Sequence, residues 1–365
     1  MKAALVSLGS VSSQITYEAM KKYFDEVDMI QLRNIEVSLG KDSGILYNGE
    51  KLAIYDCIFL KGSFRYANLL RSIAAMLEGK VPYMPIPANA FSTVHNKLLT
   101  HLALQQHNIP MPRTYISSTV EAAKELLKKV HYPIVMKFPE GTQGKGVMFA
   151  ESVSSAASLL DALVALNQPV IIQEYIETDG SDIRAIVVGE KVVAAYKRKA
   201  QKGDKRSNIH AGGKGEAVQL TREVNKIAVD TARSLGVDIC GVDILESPLG
   251  PLVIEANLSP GLQGISQVST IDIPDAMASF LFRKTQEALN KGNKSRHDEA
   301  MKDMKLRNIA SNPTSEPHSI LTSLTFRGDK IILPEFVTKM TGFRDTKEYS
   351  IKAQKGKVEI EEFQI

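Results

Sequence analysis

The sequence predicts an α/β protein built from more than one domain. Three observations carry this. Short apolar runs of strand length alternate with amphipathic helical stretches from the N-terminus onward. Turn signals such as Asn48-Gly49, Gly189-Glu190 and Pro248-Leu249-Gly250 separate pairs of these runs. The chain has 365 residues, room for two or three domains at roughly 150 residues each.

The first piece, residues 1–88, opens with an apolar strand at Ala3–Val6. A helix follows at Ser12–Tyr23 and a second strand at Val27–Leu32. A hairpin joins Gly44–Tyr47 to Lys51–Tyr55. Cys57–Leu60 reads as a further buried strand, and Tyr66–Glu78 as a helix. This alternation predicts a mostly parallel sheet. The second piece, 89–178, places a helix at Lys97–Gln106, ended by Pro110-Met111-Pro112. Strands at Ile134–Lys137, Gly146–Ala150 and Val170–Tyr175 enclose helices at Val120–Val130 and Ser152–Leu166. The third, 179–290, pairs Ile183–Val188 with Lys191–Tyr196 and Gly241–Leu245 with Leu252–Ala256. Helices are expected at Arg222–Leu235 and Pro274–Leu289. Residues 291–317, rich in Lys, Asn, Ser, Asp and Pro, read as a linker with a transient helix near Glu299–Leu306. The apolar pattern returns over 318–365, long enough for a small module.

Composition excludes several classes. Hydrophobic residues at 44% and charged residues at 24% rule out disorder throughout the chain. Lys+Arg 45 against Asp+Glu 41 gives +4, too mild to mark the whole chain as a nucleic-acid binder. Two cysteines, Cys57 and Cys240, cannot make a disulfide framework or a cysteine-rich zinc site, and they suit a reducing, cytoplasmic compartment. The N-terminus reads as a buried strand rather than a signal peptide. No apolar run reaches the ~18 residues of a membrane span.

Three constellations carry chemistry. Glu140-Gly141-Thr142-Gln143-Gly144-Lys145-Gly146 puts three glycines between two expected strands. Successive amides in such a turn cradle anions, although a tight hairpin would use the same residues. Lys137, at the end of the preceding strand, is placed to meet a phosphate. Asp243, Glu255 and Asn257 form the second set. Glu255 and Asn257 are two apart, on one side of an extended segment, and antiparallel pairing would bring Asp243 to them. Hard oxygen donors of this kind suit Mg²⁺; paired strand-end carboxylates are the plainer alternative. The third set is basic: Lys197-Arg198-Lys199, Lys202, Lys205, Arg206, then Ser207-Asn208-Ile209-His210-Ala211-Gly212-Gly213. It is either a solvated face or a loop carrying cations over a polyanion.

In this order the motifs resemble the ATP-grasp superfamily, and within it the RimK-like amino-acid ligases, over about 270 residues ending near Pro274. The family's Gly-Thr-Gln-Gly lid stands as Gly141-Thr142-Gln143-Gly144 and its adenine-side hinge as Gln173-Glu174-Tyr175-Ile176. Its Arg-Ser-Asn element is Arg206-Ser207-Asn208. Its metal strands are Val242-Asp243-Ile244 and Glu255-Ala256-Asn257-Leu258-Ser259-Pro260-Gly261. The resemblance implies an ATP-grasp fold behind a Rossmann-like N-terminal domain. It implies that Lys97 and Lys137 contact ATP phosphates, that Glu174 and Ile176 hold the adenine by backbone groups, and that Asp182 lies near the ribose. Arg198 would stabilise the transferring phosphoryl group, with Arg206 and Asn208 lining the acyl-phosphate site. Asp243, Glu255 and Asn257 would hold two Mg²⁺ (or Mn²⁺) ions. The implied reaction is ADP-forming carboxylate–amine ligation, adding L-glutamate to a protein C-terminus or a small coenzyme. Two positions depart from the family pattern. Leu60-Lys61-Gly62-Ser63 replaces a Pro-Arg-x-Gly element, and Ala211 stands where an arginine precedes Gly-Gly. Both put the substrate in doubt more than the reaction class.

Residues 328–363 resemble the AbrB/SpoVT swapped-hairpin fold, in Gly328-Asp329-Lys330-Ile331-Ile332-Leu333-Pro334, Phe336–Met340, Gly342-Phe343 and two closing β-runs at Glu348–Lys352 and Val358–Phe363. That resemblance implies a homo-oligomer (dimer or tetramer) and, second to it, DNA binding. Two other readings stay open. One is a carrier-protein ligase of lysine or arginine biosynthesis. The other is a nucleotide-sensing DNA-binding regulator without catalysis.

Overall fold

The computed structural model describes residues 1–41, 43–141, 146–199, 214–291, 325–327, 330–333, 337, 341–344, 347–355 and 357–363. The chain divides into two units, Met1–Leu289 and Asn290–Ile365.

The first unit begins with a parallel three-stranded sheet in the order Glu26–Gln31, Lys2–Ser7, Cys57–Leu60. Lys2–Ser7 is the middle strand and is buried almost throughout, as its unbroken apolar run requires. The Val11–Met20 helix starts directly after it, capped by Ser10, whose side chain accepts from the Ser13 amide. Because the strand order reverses around Lys2–Ser7, a crevice opens at the carboxyl ends of Lys2–Ser7 and Cys57–Leu60.

A second sheet is antiparallel, in the order Thr114–Tyr115, Ile171–Glu174, Ile134–Lys137, Val147–Ala150. Two helices, Val120–Leu127 and Val153–Ala165, pack with it around Leu127, Ile134, Met136, Leu160 and Ile172, a core separate from the rest. Both helices start at side-chain caps, Thr119 and Ser152.

The third sheet has five antiparallel strands in the order Lys214–Ala217, Lys191–Lys199, Ser181–Val188, Ile239–Ser247, Gly250–Asn257. The Arg222–Ser234 helix packs against four of them. Its apolar face and that of the parallel sheet share one core, and the Asp238 amide donates to the Pro85 carbonyl at 2.9 Å. The parallel sheet and the five-stranded sheet thus share one buried cluster, while the second sheet keeps its own core.

The parallel sheet expected for the first piece is present, with Lys2–Ser7 paired parallel to both neighbours. Other expectations are corrected. The strand expected at Lys51–Tyr55 shrinks to Glu50–Lys51, paired with Gly44–Tyr47, which also pairs with Ile35–Ser38. The turn at Pro248-Leu249-Gly250 is tighter than expected, since Gly250 already belongs to the returning strand. Thr114–Tyr115 and Lys214–Ala217 are additional strands, and Ala88–His95 is an additional helix. The closing helix runs over 273–291. Cys57 and Cys240 are buried free thiols. Among the described residues no helix is long and apolar enough to cross a membrane.

In the second unit Thr325–Arg327 pairs with Lys330–Ile332 and Tyr349–Gln354 with Lys357–Glu362. The expected linker beyond residue 291, the transient helix near 299–306 and most of Phe336–Met340 lie outside the described residues.

Candidate active site

The five-stranded sheet gathers most of the ionisable groups on one face. Asp182 and Arg184 alternate with buried Ile183 and Ala185 along Ser181–Val188, so both point away from the core. Pairing sets Asp182 opposite Arg198, Arg184 opposite Asp243, and Asp243 opposite Glu255. Directly opposed residues of an antiparallel pair share a face. A bulge after Asp243 leaves Ile254 unpaired and re-aims the strand carrying Glu255.

Four of the charges on this face, Asp182, Arg184, Arg198 and Asp243, pair with one another. Arg184 donates to both oxygens of Asp243, from Nε at 2.7 Å and Nη2 at 2.6 Å. Arg198 grips Asp182 with both arms of its fork, Nε to Oδ1 at 2.6 Å, and reaches Asp243 at 2.9 Å. Asp182, Arg198 and Asp243 are each 5% exposed or less. Burial pushes the Asp243 carboxyl up, but Arg184 and Arg198 outweigh it and hold it at about 2. Arg198 stays firmly cationic, because the attraction of Asp243 and Asp182 exceeds its burial penalty. In the amide orientation that satisfies its neighbours, Asn257 donates to Glu255 at 3.0 Å and accepts from Arg184 at 3.2 Å.

The facing wall comes from the second sheet. Lys137 is buried and donates to Gln173 Oε1 at 2.8 Å, and Gln173 donates onward to Thr114 at 2.7 Å. Burial pushes the Lys137 ammonium down to about 8; Lys97 adds to the push and Glu255 opposes it. Lys97 heads its helix and donates through Nζ to the Gly141 carbonyl at 2.8 Å, anchoring the start of the glycine-rich turn. At the turn's far end Gly146 has φ +77°, and a Cβ there would lie 2.3 Å from the Phe138 ring, so glycine is needed. The Glu174 amide donates to the Arg113 carbonyl, and its carboxylate accepts from the Arg113 amide at 2.8 Å, which fixes the hinge.

Between these walls lies a cavity of about 580 Å³. Lys97, Lys137, Gln173, Glu174, Tyr175 and Ile176 line it from one side. Asp182, Arg198, Asp243, Glu255 and Asn257 line it from the other. Gly141 is not among the lining residues; its carbonyl accepts from Lys97, which is. Thr142, Gln143, Gly144, Arg206 and Asn208 lie outside the described residues. Three ionisable lining residues, Arg184, His95 and Lys61, are not among the site residues expected from the sequence. Arg184 was legible in principle, two residues after Asp182 in an apolar strand. His95 belongs to the unexpected helix, and burial pushes its imidazole down to about 4. Lys61 was noted only as a departure from the family pattern.

With Asp182 and Asp243 facing guanidinium groups, Lys61, Lys97 and Lys137 remain as cations in a cavity whose other carboxylates are Glu174 and Glu255. Such a cavity suits a polyanion. Asp243, Glu255 and Asn257 offer hard oxygen donors in register, a set that fits Mg²⁺. Among the described residues no group of three or more His, Cys, Asp and Glu side chains is placed to hold a metal, so Asn257 is needed to complete this set.

The model of the RimK-like ATP-grasp domain matches residues 94–281. The chain belongs to the RimK-like ATP-grasp family. A protein of Pseudoalteromonas atlantica described as "Probable alpha-L-glutamate ligase 2" is 35% identical over 291 residues, spanning 78% of this chain and 97% of that protein. A "Probable alpha-L-glutamate ligase" of Saccharophagus degradans is 37% identical over 239 residues, 65% of this chain and 79% of the relative. Among solved structures, the RimK domain ATP-grasp protein of Sphaerobacter thermophilus superposes with a TM-score of 0.61 at 19% identity, over 77% of this chain and 99% of that one. The ATP-grasp ligase PsnB, solved with a phosphomimetic variant of its minimal precursor, Mg and ADP, gives 0.60 at 20% identity over 78% and 98%. These two likenesses show the ATP-grasp fold. In this RimK-like chain that fold is the two antiparallel sheets with the cavity between them.

Proposed function

We propose that this chain is an ATP-dependent, ADP-forming carboxylate–amine ligase that adds L-glutamate to an acceptor ending in a carboxylate. The observation that carries this is the single cavity in which Lys97 and Lys137 face the Asp243–Glu255–Asn257 oxygen set. The relatives named as glutamate ligases supply the amino acid. A protein C-terminus or a small coenzyme is the acceptor class.

The steps follow from charge. An acceptor carboxylate oxygen bonds to the γ-phosphorus as the bond to the β,γ-bridging oxygen breaks, releasing ADP. The glutamate nitrogen, having lost a proton, then bonds to the acyl carbon. The C–O bond to phosphate breaks, and the nitrogen sheds its second proton. Both steps load negative charge onto oxygen, so fixed cations supply most of the catalysis. Lys97 and Lys137 bind the phosphates, and Arg198, clamped by Asp182, presents a rigid guanidinium to the transferring group. Asp243, Glu255 and Asn257 would hold Mg²⁺, two ions in this reading, and the metal would neutralise phosphate charge. The family resemblance implies parts for Arg206, Asn208 and Thr142-Gln143-Gly144, which lie outside the described residues.

The test is ADP release with ATP, Mg²⁺ and a panel of amino acids, followed by mass spectrometry of candidate acceptors. Glutamate-dependent ADP and an acceptor heavier by one or more glutamyl residues are expected. ADP release driven equally by every amino acid, or by none, would sink the reading.

We further infer that the C-terminal unit joins two copies of the chain, in the manner of an AbrB-like hairpin. Ile351 pairs with Ile360 and Ala353 with Val358, yet Ile351 is 65% and Val358 55% exposed. Such a face is costly to leave in water. Cutting the chain near Pro317 is expected to lower the mass seen by light scattering while nucleotide binding persists. An unchanged oligomer points instead to DNA or acceptor binding by this unit, which a salt-dependent DNA titration separates.

A further inference from the structure

We propose that Lys61 and the amino end of the Val11–Met20 helix form a subsite for a substrate carboxylate that is not phosphorylated. This rests on the ligase reading and extends it to the substrate.

Lys61 follows directly on the Cys57–Leu60 strand, and its amide donates to the Val6 carbonyl at 2.8 Å, continuing the parallel ladder. It is 3% exposed and lines the central cavity. Among the described residues its Nζ has no hydrogen-bond partner; its near neighbour is the Phe59 ring, 5.5 Å away at the centroid. A buried ammonium without a partner is costly, and such groups are retained where an anion completes them. Burial pushes its pKa down to about 8, so it is still largely protonated near neutrality.

A second positive pole lines the same cavity. Ser10, Ser12 and Ser13 form the start of a ten-residue helix, whose first amides point out of its amino end. The Lys61 backbone and the Ser7–Ser10 turn both lie at the carboxyl ends of adjacent parallel strands, at the reversal of strand order where open α/β sheets bind ligands. Two positive poles facing one cavity, with no carboxylate paired to Lys61, ask for an anion.

The surrounding hydrogen bonds hold this pair in fixed relation to the oxygen donors. The Gly62 amide donates to Ser259 Oγ at 3.0 Å, and the Leu262 amide donates to Ser12 Oγ at 2.9 Å. The turn after Glu255 and Asn257 is therefore stitched to both halves of the proposed subsite. Lys97 and Lys137, assigned to phosphate, come from elsewhere, from a helix and the second sheet. A carboxylate at Lys61 would thus be anchored apart from the one that reacts. It belongs either to the incoming glutamate or to the acceptor's terminal residue.

Calorimetry decides both points on the full chain with Mg²⁺ and a non-hydrolysable ATP analogue. L-glutamate and a tetrapeptide ending in glutamate are titrated separately into wild type, Lys61→Met and Lys61→Arg. We expect all three to bind nucleotide alike. Lys61→Met should lose about tenfold to a hundredfold in one arm, the range for a charge-assisted hydrogen bond, and Lys61→Arg should keep most of that affinity. The arm that weakens names the source. The carboxamide analogue of that ligand should bind wild type and Lys61→Met equally weakly. Unchanged affinity of Lys61→Met in both arms overturns the subsite and leaves the ligase reading standing. Loss of nucleotide binding in both variants also overturns it, since Lys61 would then be structural. Wild type that binds nucleotide but neither probe sinks the glutamate reading, and the subsite with it.

Discussion

Glu255→Gln should cut ADP formation by about a thousandfold, the upper range for removing one preorganised charge-stabilising group. The fold should survive, since the amide keeps the shape of a side chain that is only half-buried. Glu255 sits opposite Asp243 across the bulge and takes the Asn257 amide at 3.0 Å. Its charge also opposes the depression of Lys137. Two roles are therefore separable. As a counter-charge alone, Glu255 restrains an anion, and its loss would tighten nucleotide binding. As a metal donor, it helps hold Mg²⁺, and its loss would weaken Mg²⁺-nucleotide while leaving metal-free nucleotide bound as well or better. The second pattern is expected when ADP affinity is measured with and without Mg²⁺, beside a coupled turnover assay. Turnover within tenfold of wild type at saturating Mg²⁺ would remove Glu255 from the metal shell.

The parts of this molecule that the sequence disclosed are those written in local chemistry. Cap residues, two-residue hairpins and unbroken apolar strands put most elements within a few residues of their place. The helix expected at Arg222–Leu235 is found at Arg222–Ser234, with Thr221 as its cap. The misses are elements that exist because a partner does. Thr114–Tyr115 is two residues long and stands at the edge of a sheet formed by later residues. Ala88–His95 is only eight residues long, so its apolar stripe of Ala90, Phe91 and Val94 is too brief to mark a helix by itself, and it is held by burial of those three. The site shows the same division. Asp243, Glu255 and Asn257 were legible from spacing and motif. Arg184 was not singled out, because its role depends on which strand lies beside its own. Ser181–Val188 pairs with Ile239–Ser247, 51 residues downstream of its end, and that register alone delivers Arg184 to Asp243. The lysine at 61 stood out only as a departure from pattern; burial without a partner gives it meaning.

Arg184→Met carries the largest expected effect on stability, about 3–5 kcal/mol, the range for breaking a buried pair from one side. Asp243 would keep only Arg198, which already serves Asp182. The pH dependence gives the sign. The Asp243 pKa in the native state is lowered from 3.8 to about 2, so its stabilising contribution is present above 3.8 and lost as pH falls toward 2. Without Arg184 burial gains the upper hand and that pKa climbs. The variant's deficit should be greatest near pH 7 and should narrow as pH falls through 5, where the stranded carboxyl takes up its proton. Urea denaturation at pH 7 and at pH 4.5 reads this directly. Adding Asp243→Asn to Arg184→Met should return part of the lost stability, because an amide without a cation costs less than a carboxylate without one. A deficit independent of pH, and a double variant weaker than the single, would mean that Arg184 acts by packing. If the deficit does follow the carboxylate, Mg²⁺ with ADP should stabilise Arg184→Met more than wild type. The metal would then supply the positive charge that Asp243 has lost, and one thermal-shift comparison would tie the ion pair to the metal site.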